Sequence, residues 1–328
     1  VKALVITLLM FSAPVWPAAR THVLIVSGIG GEPVYSERFM QWSARMVEVA
    51  QSRLEIPRAQ IVYLAESPEA TTQLAAGRST KTEVARALSR VADASSAGDL
   101  VFVLLIGHGS IRGDEALLNV PGPDISATEL DTMLRPLAGR RLVIINGAPS
   151  SAPFIRALSG PDRVIITATA SAAERYHTLF TEHFVAAFEG AGADTNRNGR
   201  VSMLEAFDYA RREVQRSYAR DGHLQTEHAL LDDNGDSKGS LDAGHNGGDG
   251  ALARALYLRA PVQRVIGAEN TETLTRLLKE RTAIEQRIEA LKTRKAELES
   301  VTYENRLEAL LIELALKHRA IRKAARSP

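Results

Sequence analysis

The sequence predicts an α/β fold: an open, mostly parallel sheet with helices on both faces, followed by a C-terminal α-helical coiled coil or hairpin. Three observations carry this. Apolar runs rich in Val and Ile recur at 22–28 (HVLIVSG), 100–107 (LVFVLLIG), 141–147 (RLVIING) and 163–167 (RVIIT). Amphipathic stretches lie between them, and continuous apolar strands in that alternation belong to sheets covered on both faces. From Glu269 to Ala325 there is neither proline nor glycine, and Leu, Ile, Glu, Lys and Arg dominate.

Each element follows in order. Residues 22–28 read as the first strand, and GIGGEP turns the chain. Over 35–53, Phe39, Trp42, Met46 and Val49 recur at helical spacing. Residues 56–66 (IPRAQIVYLAE) read as a strand, 80–95 as a helix and 99–110 as a strand. At 125–139 Ser126 is placed to cap a helix, with Glu129 completing a capping box. Strands follow at 141–148 and 163–170. FTEHFVAAF and MLEAFDYARREV read as helices, and ALARALYLRA as the final strand, so the block spans 20–262. Beyond it, Leu277, Ile284, Leu291, Leu298 and Ile312 share one heptad position, and Leu274, Ile288, Ala309 and Leu316 its partner. Arg281, Lys295, Thr302 and Asn305 interrupt the seam. A break near Ser300–Tyr303 makes the segment 269–326 a hairpin.

Composition excludes several functions. Forty basic residues balance 39 acidic ones among 328, a net charge of +1, so no global field draws nucleic acid or a membrane surface. There is no cysteine, which excludes thiol catalysis, disulfides and thiolate metal sites. Residues 1–19 place Lys2 before a short apolar run and a Pro- and Ala-containing segment. That is the layout of a secretory signal peptide, too short to span a bilayer as a stable helix. The expectation is an exported protein, periplasmic or extracellular, with no integral membrane span after signal removal. Gly28 and Gly30 do not make a dinucleotide fingerprint, because Pro33 stands where its third glycine belongs.

Two strands end in small-residue turns. LVFVLLIGHGS puts His108 between Gly107 and Gly109, and RLVIINGAPSS runs through Asn146, Gly147, Ala148, Pro149, Ser150 and Ser151. Carboxyl ends of strands in an open α/β sheet are where ligands bind. The pair resembles the legumain-type cysteine peptidases of the caspase–haemoglobinase clan, over roughly residues 21–260. The resemblance implies a caspase-like fold and matches His108 to the catalytic histidine, with Gly109 after it. Asn146 and Gly147 match the two residues before the nucleophile, and Ser150 the serine two residues after it. Ser151 replaces the usual glycine. The nucleophile's own place falls on Ala148, whose methyl group has no lone pair to attack a carbonyl. A pseudopeptidase follows: a vestigial His108 and a non-catalytic scaffold for a peptide or protein. A hydrolase using His108 with Ser150 or Ser151 is the alternative.

Residues 194–205, DTNRNGRVSMLE, fit the twelve-residue EF-hand template. Asp194, Asn196, Asn198, the Arg200 carbonyl, Ser202 and Glu205 take the ligand positions, and Gly199 the sharp turn. Only two ligands are charged and Arg197 and Arg200 oppose the cation, so weak Ca²⁺ binding with a structural role is expected. The acidic, glycine-rich run 231–250 reads as a surface loop, with Asp232, Asp236 or Asp242 as ligands of a second Ca²⁺. Self-association through the C-terminal helices is the expected partnership.

Overall fold

The computed structural model describes residues 19–71, 73–244 and 248–258. Of the C-terminal segment it describes 273, 276–278, 280, 281, 283–285, 287, 288, 291 and 298–324. The signal-peptide reading falls on residues 1–19 and so, apart from Ala19, outside the described residues. Among those described, no helix is long and apolar enough to cross a membrane.

Seven strands form one sheet in the order β10-β9-β8-β4-β1-β2-β3. They are β1 (Thr21–Ser27), β2 (Ile61–Ala65), β3 (Gly77–Arg78), β4 (Leu100–Ile106), β8 (Arg141–Asn146), β9 (Arg163–Thr167) and β10 (Leu230–Asp232). All neighbours run parallel except β9 and β10, where Leu231 pairs antiparallel with Ile166. Parallel register aligns the carboxyl ends: Ser27 lies opposite Ile106, Leu105 opposite Asn146, and Asn146 opposite Thr167.

The period-two alternation of β4 divides the core. Phe102, Leu104 and Ile106 join Phe39, Trp42, Met46, Phe184 and Phe207 on one face. Those partners come from α1 (Pro33–Ser52), α5 (Phe180–Ala186) and α6 (Met203–Arg220). Val101, Val103 and Leu105 face α2 (Lys81–Ala94), α3 (Ala127–Leu134) and α4 (Pro153–Leu158) with Leu88, Leu130 and Phe154. Phe102 stacks on Phe184 with ring centroids 6.4 Å apart. Truncating such a side chain to alanine costs about 3–5 kcal/mol. The expected capping box at Ser126 and Glu129 is present, and Thr80 caps α2.

The sequence reading named neither β3 nor β10, whose Leu231 and Asp232 it placed in a loop, and three further differences stand beside them. A small antiparallel sheet, β5 (Gly109–Arg112), β6 (Glu115–Leu118) and β7 (Ile125–Ser126), fills the stretch after His108. Its strands are two to four residues long, too short for a periodicity to register. Of the segment expected as a final strand, Ala251–Ala255 form a helical turn, α7, and residues 259–260 lie outside the described set. The Asp233 carboxylate accepts the Gly250 and Ala253 N–H groups at 2.7 and 2.8 Å and so caps α7, a contact from 17 residues away.

The third concerns the C-terminal seam. Ile284, Ile288 and Leu310 bury one another with Leu291, Leu307 and Leu314 around them. Lys317 pairs with Glu280 and Arg287 with Glu313, so the final helix (Ser300–Ala324) runs antiparallel to the helical residues near 280–291. Ile312 and Leu316, expected in the seam, are 54% and 60% exposed. The apolar stripe of the final helix, Leu307, Leu310 and Leu314, is offset by two residues from the expected one, Ala309, Ile312 and Leu316. Leu274, Lys295 and residues 325–326 lie outside the described set.

Candidate functional site

The chain leaves β1 toward β2 on one side of the sheet and leaves β4 toward β8 on the other. The strand ends therefore part between β1 and β4, the crevice where open α/β sheets bind ligands. The turn after β1 crosses to the end of β4 through the Gly28 N–H, which donates to the Ile106 carbonyl at 2.7 Å. His108 stands at this crevice, with Nε2 3.0 Å from the Gly30 carbonyl. A carbonyl only accepts, so Nε2 carries the proton and Nδ1 is the basic nitrogen of the neutral ring. Tyr35 and Phe39 of α1 hold the imidazole edge-on, with centroids 5.0 and 5.2 Å away.

Around His108 a cleft opens, lined by Tyr35, Arg38, Trp42, His177 and Thr181, with Gly147 and Pro149 from the end of β8. It is narrow, a cavity of about 10 Å³, room for about one water molecule. His177 Nδ1 lies 3.5 Å from the Tyr35 hydroxyl. Burial holds His177 below the usual histidine range, and Arg38 and His108 push it the same way. The Thr181 hydroxyl is buried without a hydrogen-bond partner.

The second strand end carries the other expected residues. Asn146 is fully buried, and its Oδ1 accepts the Ala148 N–H at 3.1 Å. Its Nδ2 is buried with no partner. At Gly147 a Cβ would lie 1.8 Å from Thr181 Oγ1, so only glycine fits. The Thr178 hydroxyl donates to the Gly147 carbonyl. Gly147 and Pro149 line the cleft, whereas the Ala148 methyl group, 1% exposed, packs with Leu105 and Phe154 in the core behind it. Gly109 lies against it; a Cβ there would come within 3.3 Å of the Ala148 methyl and 2.3 Å of the Pro149 carbonyl. His108, Gly147 and Pro149 thus meet in one cleft, and Ala148, Ser150 and Ser151 do not line it.

Both serines are committed elsewhere. Ser150, at φ +55°, donates its hydroxyl to the Ala172 carbonyl at 3.0 Å and its N–H to the Glu174 carbonyl. Ser151 Oγ shares a hydrogen bond with Thr169 Oγ1 at 3.1 Å. Each is at most 2% exposed.

Two carboxylates fix the segment that brings His177 and Thr181 to the cleft. Glu174 accepts from the Ala170 and His228 N–H groups and pairs with His228 Nδ1 at 2.7 Å. Glu227 accepts the Leu179 and Phe180 N–H groups at 2.8 and 3.1 Å. Burial pushes Glu227 up to about 7, against the pull of those two donors.

The EF-hand-like loop stands between α5 and α6. Gly199 has the left-handed φ of +80° that the template needs. Asp194 accepts the Asn198 and Gly199 N–H groups, and Asn196 Oδ1 also accepts from Asn198. The Arg200 guanidinium lies over the Tyr257 ring at 3.7 Å, so its charge is carried off the ligand positions. Glu205 takes five hydrogen bonds, from Thr195, Asn196 and Ser202, and completes the Ser202 capping box. Both Asp194 oxygens, Asn196 Oδ1 and Asn198 Oδ1 already accept backbone N–H groups, so each of these residues, like Glu205, would share or surrender donors to hold a cation. Among the described residues, no three His, Cys, Asp or Glu side chains converge as a metal cluster. In the later acidic run, Asp242 is exposed and pairs with Arg211 at 3.2 Å.

Sequence reasoning missed Arg38, His177, Thr178, Thr181 and Glu227. None stands in a motif; tertiary folding brings them to His108. No protein-family model matches the chain, and no curated protein matches it.

Proposed function

We propose that this chain is an exported, legumain-like pseudopeptidase, a non-catalytic scaffold that holds a peptide or protein segment at the strand-end cleft without cutting it. One observation carries the reading: the nucleophile's place is a buried methyl group, and both neighbouring hydroxyls are bonded away from His108. Attack on a carbonyl needs a lone pair within reach of a base, and this turn offers none. What remains suits binding. His108, His177 and Arg38 offer donors, Tyr35 offers apolar surface, and the Thr181 hydroxyl lacks a partner. Ca²⁺ at 194–205 acts as a weak strut between α5 and α6, with Asp194, Asn196 and Asn198 as its holders. The exposed Leu311, Ile312 and Leu316 support association with a second copy through the final helix.

The test is a peptide-library assay on the purified protein with Ca²⁺, comparing wild type with His108→Ala. Cleavage in neither, with peptide binding weakened by His108→Ala, is the expected result. Cleavage that vanishes in the variant refutes the non-catalytic reading.

A further inference from the structure

We propose that the loop Asp232–Lys238 is a Ca²⁺ site, built from the Asp232 carboxylate, the Asn234 amide oxygen, the Asp236 carboxylate and the Lys238 carbonyl. Asp232 ends β10 and is 1% exposed. Its Oδ1 accepts the Gly235 N–H at 3.3 Å, while Oδ2 is buried with no hydrogen-bond partner. A buried carboxylate oxygen with no donor is among the costliest groups a fold can hold, and a bound cation removes that cost.

The Ser159 hydroxyl, which accepts the Ser237 N–H at 3.1 Å, is the side-chain donor beside Asp232, while Asp249 and Asp236 add repulsion there. Arginines on neighbouring elements are committed to other acids: Arg211 to Asp208 and Asp242, Arg163 to Asp131. Asp233 points the other way and caps α7, and Asp249 is held by the Asp233 N–H and the Ser240 hydroxyl. That leaves Asp232 as the floor and the exposed Asn234, Asp236 and Lys238 as the rim. The Leu231–Ser240 bridge closes the loop beneath them.

The backbone repeats the EF-hand-like loop position for position. The fifth residue donates its N–H to the third residue's Oδ1: Asn198 to Asn196 at 3.0 Å, Asp236 to Asn234 at 2.8 Å. The seventh donates to the fifth residue's Oδ1: Arg200 to Asn198 and Lys238 to Asp236, both at 2.8 Å. The sixth has positive φ, +80° at Gly199 and +65° at Ser237. The loops differ where it matters. The carboxylates of 194–205 are saturated by protein donors, whereas Asp232 keeps an oxygen bare. Two carboxylates with amide and backbone oxygens form a hard-donor set that Ca²⁺ accepts.

Calcium titration calorimetry and thermal melts on the EDTA-treated full chain test this, with MgCl₂ as the comparison ion. Asp232→Asn keeps the side chain's shape and its acceptor for Gly235; Asp236→Ala alters only the exposed rim. Both variants are expected to lose a binding component by tenfold or more, and Asp194→Ala to retain it. In EDTA, Asp232→Asn melts at or above the wild type, because a bare charge has been removed. With Ca²⁺ a hundredfold above the Kd of this component, the wild type and Asp194→Ala gain roughly 5–10 °C, and Asp232→Asn gains clearly less. A wild type that binds no Ca²⁺ overturns the proposal. So does an isotherm unchanged in both Asp232→Asn and Asp236→Ala.

Discussion

Glu227 gives the cleft a pH dependence that can be measured directly. Its carboxyl is 2% exposed, and it fixes the start of α5 through Leu179 and Phe180. Burial moves it from an ordinary 4.5 to about 7. The folded state therefore keeps a proton that the unfolded state has released. The stabilisation is complete below pH 4.5, is lost progressively as pH rises to 7, and changes no further above that. At about 1.4 kcal/mol for each pH unit between the two values, the whole loss is roughly 3 kcal/mol. Other buried groups titrate in the same range; burial holds His183 and His22 below the usual histidine value. The informative quantity is therefore a difference between proteins. Urea unfolding of wild type and Glu227→Gln at half-unit steps from pH 4.5 to 8.5 isolates the carboxyl. The wild type should lose stability relative to the variant up to pH 7, and the difference should then level off. A difference that stays flat from pH 4.5 to 8.5 would refute the reasoning, because it would mean the carboxyl ionises alike in both states.

Three further outcomes follow from the geometry. Gly147→Ala should destabilise by about 1–3 kcal/mol, since its Cβ meets Thr181 Oγ1 at 1.8 Å; adding Thr181→Ala should recover part of the loss, and full additivity in urea melts would disprove that contact. Ala148→Cys should yield a thiol that reacts slowly with a disulfide reagent in the native state and cuts no peptide, because the site packs into apolar core; rapid modification would place position 148 on the cleft. Leu311→Glu with Leu316→Glu should shift the light-scattering mass toward monomer, given the exposure of both side chains; an unchanged mass would remove the final helix from self-association.

Much of the fold was legible because parallel strands write their burial into continuous apolar runs. β1, β4, β8 and β9 all begin within one residue of the expected starts, the readings overran the ends of β4, β8 and β9 by two to four residues, and the capping box at Ser126 is where it was expected. The strand-end logic also found His108 and Gly147, since small residues after a buried strand allow close approach of backbone. What escaped depends on distant partners. Ala251–Ala255 form a helical turn capped by Asp233 rather than part of a strand. Ile312 and Leu316 are exposed because Leu307, Leu310 and Leu314 take the seam instead.

The sequence alone determined β1, β2, β4, β8 and β9 of the sheet, the amphipathic faces of its long helices and the chemistry missing from this sequence: it holds no thiol, and Ala148 cannot attack a carbonyl. Those are properties of residue type and spacing, which survive without coordinates. Only the tertiary structure decided which side chains share the cleft, that Ser150 and Ser151 spend their hydroxyls in the turn, and that Asp232 keeps a bare oxygen while Glu205 is saturated. Each depends on which donors the folded chain carries to a given atom, and residues tens of positions apart supply those donors.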